Sequence, residues 1–131
     1  MAVALEGIAN EQQLEVGVNG PGGANRLFVI DGTAAFTLTP GAGNDRASDT
    51  LRFPVGPTLA PGQFIRAAAT ASLAGIANGG LANNAQWAVD SVDADLDDET
   101  GRVIVSADLV VADTDGYLQR IGFQVNILAQ L

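Results

Sequence analysis

The chain has 131 residues, enough for one domain with its own core, and a formal charge of −9. It has no cysteine and no histidine, and all six basic residues are arginine. Thiolate chemistry, imidazole bases, the usual transition-metal sites and Schiff bases are therefore unavailable, and the negative field disfavours nucleic acid, so neither an enzyme nor a nucleic-acid partner is expected.

The segment "MAVALEGIANEQQLE" lacks a basic start and meets Glu6 before any apolar region, unlike a secretory leader. No stretch has the length of a transmembrane helix, so membrane insertion is not expected. Missing cysteine leaves the compartment open. Hydrophobic types make up 47% and charged types only 16% of the residues, against about 25% charged in ordinary proteins. That balance suits a domain that hides apolar surface in a homo-oligomer or against a protein partner.

Along the chain, "LEVGVNG" alternates Leu14, Val16 and Val18 and reads as a strand. "GPGGAN" (20–25) is a turn, and "RLFVI" (26–30) is a continuous apolar run suited to a central strand. Asp31-Gly32 is a hairpin signal, after which Ala34, Phe36 and Leu38 resume alternation. The stretch from Pro40 to Thr50 is a polar, glycine-rich loop. "LRFPV" (51–55) alternates again, with Pro54 assigning it to an edge.

The stretch from Phe64 to Ala77 fits a strand, with Ile65, Ala67, Ala69, Ala71 and Leu73 on one face. It also fits a helix, with Ile65, Ala69, Leu73 and Ile76 aligned. The preceding Pro-Gly turn and the near-alternation favour the strand. A loop from Asn78 to Asn84 then leads into a strand at Trp87.

The last third is the most regular. Apolar positions are odd at Trp87 and Val89 but even at Val92, Ala94 and Leu96, which predicts a β-bulge near Asp90 and Ser91. With Asp98 to Gly101 as a four-residue turn, Asp97 faces Arg102, Leu96 faces Val103, Ala94 faces Val105 and Val92 faces Ala107. With Thr114 to Gly116 as a second turn, Leu109 faces Ile121, Ala107 faces Phe123, Val105 faces Val125 and Val103 faces Ile127. One register thus serves three strands. The expected fold is a single all-β domain over 1–131. It is an antiparallel sandwich, or barrel-like, of about eight strands, ending in a three-stranded meander.

The densest chemical cluster is "DADLDDETGR", from Asp93 to Arg102. Asp93, Asp95 and Asp97 alternate, so they share one side of a strand, and calcium is the one ion they suggest. An EF-hand loop is ruled out because its glycine position falls on Asp98. Alternate side chains on a strand lie roughly 7 Å apart, too far to share an ion without a closing loop. The favoured reading is a solvated hairpin face with an Asp97–Arg102 pair. Asp113 and Asp115 suit turn chemistry. Trp87 falls on the apolar side of its strand, and Tyr117 stands beside a turn. No phosphate-binding glycine motif is present.

These features lead to a non-catalytic structural or assembly domain, acting by self-association or by docking on another protein. The alternative is a small ligand-binding module, of carbohydrate type and calcium-dependent in one version.

Overall fold

A computed structural model describes residues 2–20, 23–39, 47–78, 86–112 and 116–130. Among them every regular element is a strand: β1 (Ala2–Val3), β2 (Gly7–Gly20), β3 (Gly23–Leu38), β4 (Ala47–Val55), β5 (Phe64–Asn78), β6 (Gln86–Asp97), β7 (Arg102–Ala112) and β8 (Gly116–Ala129). They form two four-stranded sheets, ordered β1-β4-β7-β6 and β2-β3-β8-β5. Every pairing is antiparallel except the two-residue contact of β1 with β4. The antiparallel sandwich expected from the sequence is the observed architecture.

Alternation builds the core. Phe28, Ile30, Ala34 and Phe36 of β3 and Ile121, Phe123, Val125 and Ile127 of β8 are buried. Leu51, Phe53 and Val55 of β4 and Val103, Val105, Ala107 and Leu109 of β7 are buried opposite them. Period-two patterning makes this possible, because a strand shows every second side chain to one face. Phe53 and Phe123 meet across the sheets with ring centroids 4.9 Å apart at 55°, a geometry worth about 0.5–1.5 kcal/mol beyond its buried area. No polar or charged side chain among the described residues is buried.

The β6–β7 hairpin has the predicted register, with Asp97 opposite Arg102, Leu96 opposite Val103 and Val92 opposite Ala107. The register shift also falls where expected, between Val89 and Ser91. Gly101 closes the turn at φ +73°, and its N–H donates to the Asp97 carbonyl at 2.8 Å. A side chain at Gly101 would place Cβ 2.7 Å from the Leu59 carbonyl oxygen, so glycine is required twice over. This turn is strapped to the preceding loop by Leu59 N–H on the Gly101 carbonyl, 2.7 Å, and by the Arg102 guanidinium on the Gly56 carbonyl, 3.0 Å.

The third strand of the expected meander is elsewhere. β8 does not pair with β7; it lies between β3 and β5 in the facing sheet. Ala107 is flanked by Leu51 and Val92, and Phe123 by Gly32 and Ala71. The apolar faces of β7 and β8 do coincide, but across the sandwich instead of side by side. Alternation specifies which side chains are buried together. It does not say whether they meet as neighbours in one sheet or as opposed layers.

Asp31-Gly32 is likewise no hairpin, because β3 runs through it. A Cβ at Gly32 would stand 3.0 Å from Cζ of Phe123, so this glycine makes room for a ring instead of a turn. The segment from Phe64 to Ala77 is strand, as favoured, and follows a turn in which Gly62 has φ +84° and Gln63 N–H donates to the Ala60 carbonyl at 3.0 Å. Pro54 lies beyond the two residues of β4 that pair with β1, on an edge in effect. Of the predicted loop at 40–50, Ala47 to Thr50 instead open β4, and Asn78 ends β5; the rest of that loop, 79–84 and 113–115 lie outside the described residues.

Candidate functional site

β2 breaks the rule that alternating strands bury their apolar side. It is an edge strand with one hydrogen-bonded neighbour, β3, and among the described residues no strand pairs with its other edge. Nearly all of its residues are exposed on both faces. Ile8 stands opposite the buried Ala34, so it faces the core. Leu14, Val16 and Val18 have the same parity as Ile8, yet they stand opposite Val29, Leu27 and Asn25, on the outward face.

The reversal has a local cause. Between Ala9 and Gln12 the register shifts by one residue, and Asn10 adopts φ +56°. One extra residue in a strand turns every later side chain over. Asparagine is among the few non-glycine residues that enter this left-handed region readily. Leu14, Val16 and Val18 are consequently 60%, 40% and 37% exposed. They continue a strip through the half-buried Leu27 and Val29 of β3 and Leu128 of β8.

The exposed large hydrophobics Leu14, Val16, Val18, Ile65, Leu73 and Ile76 all belong to β2 and β5, the two edges of this sheet; Leu5 lies in the short connection before β2. The two edges differ. β5 lies close to β6 of the facing sheet, which closes that flank of the sandwich. On the other flank the facing sheet ends in the two-residue β1, so among the described residues no strand of that sheet closes over β2. The inward-pointing side chains of β2 are polar there, and Glu15 meets Arg26 with Oε1 to Nη1 at 3.3 Å.

The acidic stretch lies on the outward face of the other sheet. Asp93, Asp95 and Asp97 stand opposite Ser106, Ile104 and Arg102 and, with Arg52 and Glu99, line a polar groove. The fold does not gather them: among the described residues no three acidic side chains converge in a way that could hold a metal ion. Asp97 accepts hydrogen bonds from Thr100 Oγ1 at 2.9 Å and Glu99 N at 3.2 Å, and Asp95 accepts one from Leu96 N at 2.8 Å. Arg102 is opposite Asp97 in register, but its guanidinium bonds Gly56 instead, which replaces the expected ion pair.

Asp108, which alternation places on the polar side of β7, organises this face more than the cluster does. Its carboxylate accepts Ser91 Oγ at 2.6 Å and Thr50 Oγ1 at 2.7 Å, joining β6, β7 and β4. Those two hydrogen bonds, Ser91 first, hold its pKa below the ordinary carboxylate value. Trp87 packs against the core as expected, and its Nε1 donates to the Tyr117 carbonyl at 2.9 Å, bridging the two sheets. Tyr117 is half-buried.

A shallow trough of about 550 Å³ crosses the outward face of the second sheet where Gly122 leaves a gap. Gln12, Asp31, Thr33, Thr70, Ser72 and Gln124 supply its polar rim. Compared with known proteins, the chain matches no family model, no curated protein and no solved structure.

Proposed function

We propose that this protein is a non-catalytic structural domain that works by self-association through its second sheet. The observation that carries this reading is the outward-turned apolar side of β2 on an edge that no strand pairs among the described residues. Long, flat, apolar edges are ordinarily blunted or covered, since they template pairing with another chain. Here a bulge directs three aliphatic side chains toward solvent, beside the half-buried Leu27, Val29 and Leu128. Covering that strip removes apolar area from water at about 25 cal/mol per Å². Sedimentation equilibrium over micromolar concentrations tests the reading. Reversible association is expected, and a strict monomer at the highest concentration would refute it.

The polar trough favours a second reading, a small hydroxyl-rich ligand such as a sugar bound through Gln12, Asp31, Thr70 and Gln124. Titration calorimetry with simple sugars separates the two. A calcium-dependent version predicts a rise in melting midpoint at millimolar calcium that chelator reverses.

A further inference from the structure

Resting on the self-association reading, we infer that two copies join by pairing their β2 edges antiparallel about a two-fold axis at Val16, merging two four-stranded sheets into one of eight. The partner is a second copy because β2 is complementary to itself in this register and in no neighbouring one.

In an antiparallel pair of identical strands, opposed residue numbers have a constant sum. Centred on Val16, Leu14 meets Val18 of the partner subunit, Val16 meets the partner's Val16, and Val18 meets the partner's Leu14. All three contacts are apolar and lie on the outward face. On the inward face Glu15 meets the partner's Gly17, and Gln13 meets the partner's Asn19. Moving the centre to Glu15 would set two carboxylates directly against each other, which is destabilising in a sheet. A centre at Leu14 would set Val16 against glutamine, and one at Gly17 would leave Leu14 opposite glycine.

Charge supports the same register. Arg26 stands opposite Gly17 in the β2–β3 pair, on the same face as Glu15. In the dimer the row therefore reads Arg26, Gly17, then Glu15 of the partner subunit. Gly17 has no side chain, and a Cβ there would touch nothing within 4 Å. With strands about 4.8 Å apart, Arg26 spans roughly 10 Å over the glycine toward the partner's carboxylate, within reach of two long side chains. Arg26 and Glu15 already form an exposed ion pair within one chain, with side-chain exposures of 51% and 43%. The two-fold axis brings two such pairs into one four-membered network. Stacking of outward faces, the competing arrangement, brings no arginine to Glu15.

Cysteine cross-linking tests this cleanly, because the chain has no cysteine of its own. Val16→Cys is expected to form an intermolecular disulfide rapidly under mild oxidation, since directly opposed strand residues have Cα atoms about 4.5–5.5 Å apart, inside the disulfide range. Glu15→Cys should not, because the two copies of that residue lie diagonally, at about 7–8 Å. An equimolar mixture of Leu14→Cys and Val18→Cys should give the mixed dimer. Arg26→Glu should weaken dimerisation by about tenfold or more, and adding Glu15→Arg should restore it. If the wild-type chain sediments as a monomer, the self-association reading fails and this inference with it. If it associates but Val16→Cys cross-links no faster than Glu15→Cys, or the charge swap restores nothing, association stands and the β2 register is wrong.

Discussion

Asp108 shows how much one exposed side chain can organise. It ties three strands of the first sheet through Ser91 and Thr50, and those donors lower its pKa. A depressed carboxyl contributes stability above the unfolded-state pKa of about 3.9, and that contribution is lost as pH falls through its own lower value. A carboxyl NMR titration should find Asp108 below the ordinary range. Ser91→Ala and Thr50→Val should each raise it, and equal values in all three proteins would contradict the assignment. Gly32 acts by absence instead. A methyl group there would stand 3.0 Å from the Phe123 ring and 3.3 Å from the Glu11 backbone. Gly32→Ala should therefore cost about 1–3 kcal/mol, read as a lower denaturant midpoint at unchanged slope.

Among the elements, β2 and β8 have similar alternation and opposite fates. Both are 14 residues long. β8 is central and buries Ile121, Phe123, Val125 and Ile127, while β2 turns Leu14, Val16 and Val18 outward. Ile127→Ala should cost about 2–5 kcal/mol, because it removes buried methylenes and leaves a cavity. The double variant Leu14→Thr, Val18→Thr should shift folding stability by no more than about 0.5 kcal/mol while weakening self-association. Comparable losses of stability in the two variants would mean that the outward side of β2 is covered within one chain. The sequence shows that Leu14, Val16 and Val18 share a face. It does not show which face, because the single inserted residue near Asn10 that reverses them has no signature as clear as the odd-to-even switch at Asp90 and Ser91.

At the scale of the whole molecule, charge and apolar surface oppose each other. Two copies with charges of −9, whose centres in an eight-stranded sheet lie four strand spacings or about 19 Å apart, repel by roughly 9 kcal/mol at 0.01 M salt and about 1.6 kcal/mol at 0.15 M. An exposed Arg26–Glu15 pair is worth only about 0.2–1 kcal/mol, so screening the net repulsion dominates. Raising salt across that interval should strengthen self-association by at least tenfold, as read by sedimentation equilibrium. Weaker association at higher salt would instead make local ion pairs the main attraction. The acids of β6 lie on the first sheet's outward face, away from the open strand, which keeps the cost of approach low.

The pattern of residues by itself determined the strand class, the β6–β7 register, the bulge between Val89 and Ser91 and the turn at Gly101. Each depends on neighbours in sequence: alternation over a few residues, or a glycine where φ must be positive. Only the tertiary structure decided that β8 crosses to the second sheet and that Gly32 accommodates a ring. It also decided that the acids of β6 stay apart and that β2 shows its aliphatic side to solvent. These outcomes depend on which surface lies opposite, and a period-two pattern is satisfied equally well by a neighbour in the sheet, a layer across the core or a second chain.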